Sequence, residues 1–115
     1  MLGPTNPADA PVDSLRGAVL AKWEELDLAF APNVGENCVH ASASPFEGLA
    51  ERMNWLKCAV EDDSFGATLV EAGISVETIK AWSVDPQVKG KSIFDQLEDM
   101  DADDCRKKLV ELNAD

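Results

Sequence analysis

The chain has 115 residues, enough for one ordinary domain or two very small ones, and 45% of them are apolar, which supports a packed core. A formal charge of −12, from 22 acidic against 10 basic residues, argues against broad contact with nucleic acid or an anionic membrane, because both attract positive surfaces. Cys38, Cys58 and Cys105 form no C-x-x-C pair, no apolar run reaches the roughly 18 to 20 residues of a spanning helix, and the opening has no basic-then-apolar leader, so a reduced, cytoplasmic setting is expected.

Residues 1–13 contain Gly3, Pro4, Pro7 and Pro11, which oppose regular structure, and a loop or tail is expected there. From Ser14 onward, Leu15, Val19, Leu20, Trp23, Leu26 and Phe30 recur every three or four residues and predict a helix, ended by Pro32, Asn33 and Gly35. In the short segment from Asn37 to His40, the Cys38-Val39 pair supplies a strand. Ser44-Pro45-Phe46-Glu47 then gives a serine N-cap, proline at the first helical position and glutamate three residues after the cap. Phe46, Leu49, Met53, Leu56 and Val60 form the apolar stripe of that helix, and Glu61-Asp62-Asp63 marks its exit. Shorter helices are expected at 65–72, 75–82, 92–100 and 102–112, punctuated by Gly73, Pro86 and Gly90.

His40 is the only histidine and precedes the small-residue stretch Ala41-Ser42-Ala43-Ser44. Small neighbours let a substrate approach the ring, and the capped helix start offers backbone donors and a positive dipole end to phosphate oxygens. Glu51 lies seven positions beyond Ser44, about two helical turns in, where it can hold one ring nitrogen and leave the other free to attack. Each residue also has a plain structural reading. A lone histidine after a strand is more often a surface or packed residue. Trp23 and Trp55 read as core anchors, Cys38 as a small buried hydrophobe, Ser42 and Ser44 as caps, Thr5 and Asn6 as turn residues, and Arg16 as an ion-pair partner of Asp13.

Two further patterns are rejected. Asp99-Met100-Asp101-Ala102-Asp103 opens like a calcium loop but has Asp104 and Val110 where glycine and glutamate are needed. Val88-Lys89-Gly90-Lys91-Ser92 lacks the first glycine and the preceding strand of a phosphate loop. Asp101 and Asp104 are better read as the cap and acidic first turn of the last helix, complemented by Arg106, Lys107 and Lys108.

Taken in order, Met1-Leu2-Gly3 with Thr5-Asn6-Pro7-Ala8, Ser14-Leu15-Arg16-Gly17, Asn37-Cys38-Val39-His40 with Ala41-Ser42-Ala43-Ser44, then Glu51 and Trp55, resemble the C-terminal half of nucleoside diphosphate kinases. The resemblance reaches Leu56. It implies that His40 accepts a phosphoryl group, that Glu51 orients the imidazole, that Thr5 and Arg16 contact nucleotide phosphates, that Asn37 reaches the sugar, and that Ser42 sits beside the nucleophile. It also implies nucleoside di- and triphosphates as substrates, Mg2+ arriving with the nucleotide, and no resident metal. Ala41 and Ala43 stand where the family has glycine and aspartate, and about eleven extra residues precede Asn37.

The implied fold is mainly α with a short β remnant: a partial α+β ferredoxin-like kinase core at 1–60, followed by an acidic helical extension at 61–115. The extension is expected to pack on the stripe of the 45–60 helix. Met1-Leu2-Gly3 aligns with an internal segment of the family, so the expectation is a partial or impaired phosphotransferase that associates with copies of itself or with the missing first half. A reading from another class is a non-catalytic binding or assembly module that uses the acidic C-terminal helices.

Overall fold

A computed structural model describes residues 1–114, and its backbone divides into two compact units, Met1–Ala41 and Ser42–Asp115. The boundary expected at residue 60 therefore falls inside the second unit. The physical reason is that Phe46 and Leu49, from before residue 60, share one core with Leu69, Ile79, Ile93 and Leu109 from after it.

The first unit is held by caps and turns more than by apolar burial. Asn6 caps a 3-10 turn at Pro7–Asp9, accepting from the Ala8 N–H at 3.3 Å. Ser14 caps α1 (Leu15–Ala21): its Oγ accepts from the Gly17 N–H at 3.1 Å and donates to the Pro11 carbonyl at 2.6 Å. Gly17 is obligatory at this crossing, since a Cβ there would stand 1.9 Å from the Pro11 oxygen. The helix expected to run to Phe30 stops at Ala21, and turns follow. Its apolar stripe is only partly covered: Leu15, Leu26 and Phe30 each remain more than half exposed, and the buried residues of α1 are Arg16 and Gly17. A short helix that buries little apolar surface is marginal in water, which fits the early stop. The strand expected at Cys38-Val39 does not form either; Cys38 is exposed and left-handed, with φ of 66°.

The second unit is helical. Ser44 accepts from the Glu47 N–H at 3.1 Å, the Glu47 carboxylate accepts from the Ala43 N–H at 3.1 Å, and Pro45 opens α2 (Pro45–Leu56) as the sequence predicts. Such a cap is worth about 1 kcal/mol. The helix ends before Val60 because Lys57 turns left-handed, φ 56°, and a 3-10 turn at Val60–Asp62 follows. Asp63 caps α3 (Ser64–Glu71) through the Phe65 and Gly66 N–H groups, both at 2.9 Å, and pairs with Arg52 Nε at 2.8 Å. Ser75 caps α4 (Val76–Trp82), Ser92 caps α5 (Ile93–Leu97) and Asp101 caps α6 (Ala102–Asn113).

Among the described residues the only sheet is a two-stranded antiparallel ribbon, β1 (Gln87–Val88) and β2 (Lys91–Ser92), with Val88 opposite Lys91. Lys89 and Gly90, φ 51° and 82°, form the tight turn that matches strand twist. Asp85 Oδ1 accepts from Ser92 Oγ at 2.7 Å and the Phe94 N–H at 3.0 Å, while the Gln96 amide donates to the Val88 and Lys91 carbonyls. The architecture is thus mainly helical, and no ferredoxin-like sheet forms among the described residues. As expected, α3, α5 and α6 pack on α2: Phe46 and Leu49 are sealed with Leu69, Leu97, Cys105 and Leu109, and Phe46 meets the Phe94 ring edge-on at 6.1 Å. Trp55, expected as a core anchor, is 76% exposed, because the core-facing positions of α2 are Phe46, Leu49 and Ala50. Among the described residues no helix is long and apolar enough to cross a membrane.

Candidate functional site

The first unit gathers four of the six residues singled out from sequence. The backbone beneath them is fixed by two main-chain bonds, from the Leu15 N–H to the Met1 carbonyl and from the Arg16 N–H to the Leu2 carbonyl, both 3.0 Å. These lay the opening segment along the start of α1. Arg16 then extends its guanidinium across the unit. Nη1 donates to the Gly3 carbonyl at 2.8 Å, and Nη2 donates to the Val39 carbonyl at 2.9 Å, 23 residues away. The side chain is buried, and Nε has no hydrogen-bond partner among the described residues.

Asn37 engages the same residue, Val39, at its N–H. Its Nδ2 donates to the Thr5 carbonyl at 3.2 Å, and its Oδ1 accepts from the Val39 N–H at 3.3 Å. Both polar groups of Val39 are thereby engaged, the N–H by Asn37 and the carbonyl by Arg16. His40 follows directly and is exposed. Thr5 is exposed as well, next to Asn6, whose amide is tied to Asp9 at 3.0 Å.

The structure therefore brings Thr5 and Asn37 together and links Arg16 to the residue before His40. Two of these residues are bonded within the unit. Arg16 is expected to meet nucleotide phosphates or to pair with Asp13, but its fork is directed to main-chain carbonyls, because the opening segment and the 37–40 segment converge on it. Asn37, expected at a sugar, is bonded at both ends of its amide to Thr5 and Val39. The Gly3 and Val39 carbonyls were not readable as part of the site; two carbonyls far apart in sequence leave no pattern in residue type.

Ser42 and Glu51 belong to the second unit. Ser42 is exposed ahead of α2. Glu51, half-buried on α2, lines a surface hollow of about 410 Å³ with Ala50, Met53, Lys57, Val84 and Phe94.

Compared with known protein families, curated proteins and solved structures, the chain gives no match.

Proposed function

We propose that the chain is a nucleoside diphosphate kinase-like phosphotransferase that carries a phosphoryl group on His40. The observation that supports this reading is the presentation of His40: an exposed imidazole directly after a residue whose N–H is held by Asn37 and whose carbonyl is held by Arg16. A nucleophile needs an accessible ring on a backbone that does not wander, since much of the gain in phosphoryl transfer comes from alignment.

In the first half-reaction, the lone pair of an unprotonated His40 ring nitrogen forms a bond to the terminal phosphorus of a nucleoside triphosphate. The bond from that phosphorus to the bridging oxygen breaks, and the diphosphate leaves with the electron pair. In the second half-reaction, a terminal oxygen of another nucleoside diphosphate attacks the phosphorus, and the N–P bond breaks back to the ring. Magnesium bound to the phosphates spreads their charge when present. In this reading Thr5, exposed and with its carbonyl bonded to Asn37, contacts the nucleotide phosphates.

The test is labelling. The full chain incubated with γ-labelled nucleoside triphosphate and Mg2+ acquires acid-labile, base-stable label, and His40→Ala does not. Equal labelling of both proteins, or none of either, defeats the proposal. The second reading, a non-catalytic binding or assembly module that uses the acidic helices of 61–115, is favoured by the exposure of Val84 among helices that share a core of their own. A folded chain that takes no label leaves that reading standing.

A further inference from the structure

We infer that Arg16 and Asn37 are positioning residues for His40, a clamp that holds Val39 at both its N–H and its carbonyl, and not ligands of the nucleotide. The inference rests on the phosphohistidine reading and deepens it by removing two residues from the substrate's surroundings and assigning them to the nucleophile's backbone. Arg16 is 9% exposed and spends both terminal nitrogens on carbonyls at 2.8 and 2.9 Å. Drawn out of the unit toward a phosphate, the fork would leave both carbonyls unpaired, and unpaired polar groups in a part-buried setting are costly. Its planar fork suits the span between Gly3 and Val39, which a lysine ammonium cannot bridge in the same way. Asn37 is bonded at Nδ2 and Oδ1 alike, and swinging the amide out toward a sugar would break both bonds. Together the two side chains tie the 37–40 segment to Gly3 and Thr5, and Asn37 alone reaches the Val39 N–H.

A nucleotide ligand and a backbone clamp predict different kinetics. Loss of a ligand weakens binding; loss of a clamp lets the nucleophile wander and lowers turnover with binding intact. The experiment uses the full chain with Arg16→Lys, which keeps the charge and loses the fork, and Asn37→Ser as the second variant should Arg16→Lys fail to fold. Three quantities are measured: the Kd for the Mg2+ salt of a nucleoside diphosphate, the rate of His40 phosphorylation by nucleoside triphosphate and by phosphoramidate, and backbone order parameters at Val39 and His40.

The clamp predicts a Kd within about twofold of wild type and a phosphorylation rate from triphosphate lowered by about tenfold or more. It also predicts order parameters falling from about 0.85 toward 0.6 at Val39 and His40. A Kd raised about tenfold with order parameters unchanged overturns it and makes Arg16 a phosphate ligand. If wild type takes label from phosphoramidate but not from nucleoside triphosphate, the kinase reading fails by itself. The order parameters and the phosphoramidate rates then still decide the clamp: unchanged values in both variants refute it.

Discussion

Gly17→Ala tests whether the first unit depends on one close approach. The new Cβ would stand 1.9 Å from the Pro11 oxygen and 2.7 Å from the Pro11 carbonyl carbon, both backbone atoms that no rotamer change can move. Carbon and oxygen in contact prefer about 3.3 Å, so the 11–14 turn must retreat by at least about 1.4 Å. The Pro11 carbonyl receives the Ser14 N–H and Oγ, and the same Oγ caps α1 at the Gly17 N–H. Loss of the cap costs about 1 kcal/mol, and the overpacking about 1 to 3 kcal/mol more. Forty-one residues at about 0.05 to 0.15 kcal/mol each hold only about 2 to 6 kcal/mol. The substitution therefore consumes most of the unit's stability. Hydrogen exchange followed by peptide is expected to show fast exchange in 1–41 and unchanged protection across α2, α3 and α6. Gly48→Ala is the control, with only ordinary contacts of 3.8 Å to Ser42. Unchanged protection in 1–41 of Gly17→Ala would refute the reasoning.

Other substitutions probe the second unit. Asp63→Ala removes the α3 cap and the Arg52 partner; with Arg52 half exposed, the sum is about 1 to 2 kcal/mol, while Asp63→Asn keeps the cap and costs less than about 1 kcal/mol. Urea midpoints decide, and an Asn variant as damaged as Ala counts against the cap. Burial pushes the Cys105 thiol up, so the folded state holds that proton more tightly than the unfolded chain does. Stability from this group is complete below the unfolded thiol's range, about 8.5, and declines as pH rises through it. The urea midpoint of wild type should fall relative to Cys105→Ala between pH 8 and 10, and a parallel pH response in the two proteins contradicts this. In the same folded protein, exposed Cys38 should take maleimide and Cys105 should not.

What could be read in the residues was local. Ser44 with Glu47, and Asp101 with Asp104, announce helix starts because a cap and its amide lie within one turn, and both caps are present. The stripe of α2 was legible only in part: Phe46 and Leu49 are sealed, yet Leu56 is 68% exposed, because Lys57 turns left-handed and releases the last turn from the core. Leu15, Leu26 and Phe30 have helical spacing without a surface to cover, and spacing cannot tell whether a partner face exists. The Lys89-Gly90 turn carried a recognisable signal in its glycine between Val88 and Lys91, and the short ribbon was nevertheless read as punctuation. The candidate site followed the same division. His40 stood out as a type, whereas Arg16 meeting Val39 depends on a closure of 23 residues that nothing in the neighbouring sequence specifies.

The ribbon at 87–92 also bears on how the protein behaves when concentrated. A bare strand edge is a template on which further chains can add, the first step toward fibrils. Here each strand is two residues long and lysines flank the tip. Growth of a shared sheet has no foothold at that edge, and the ribbon serves instead as a fastening between Asp85 and the start of α5.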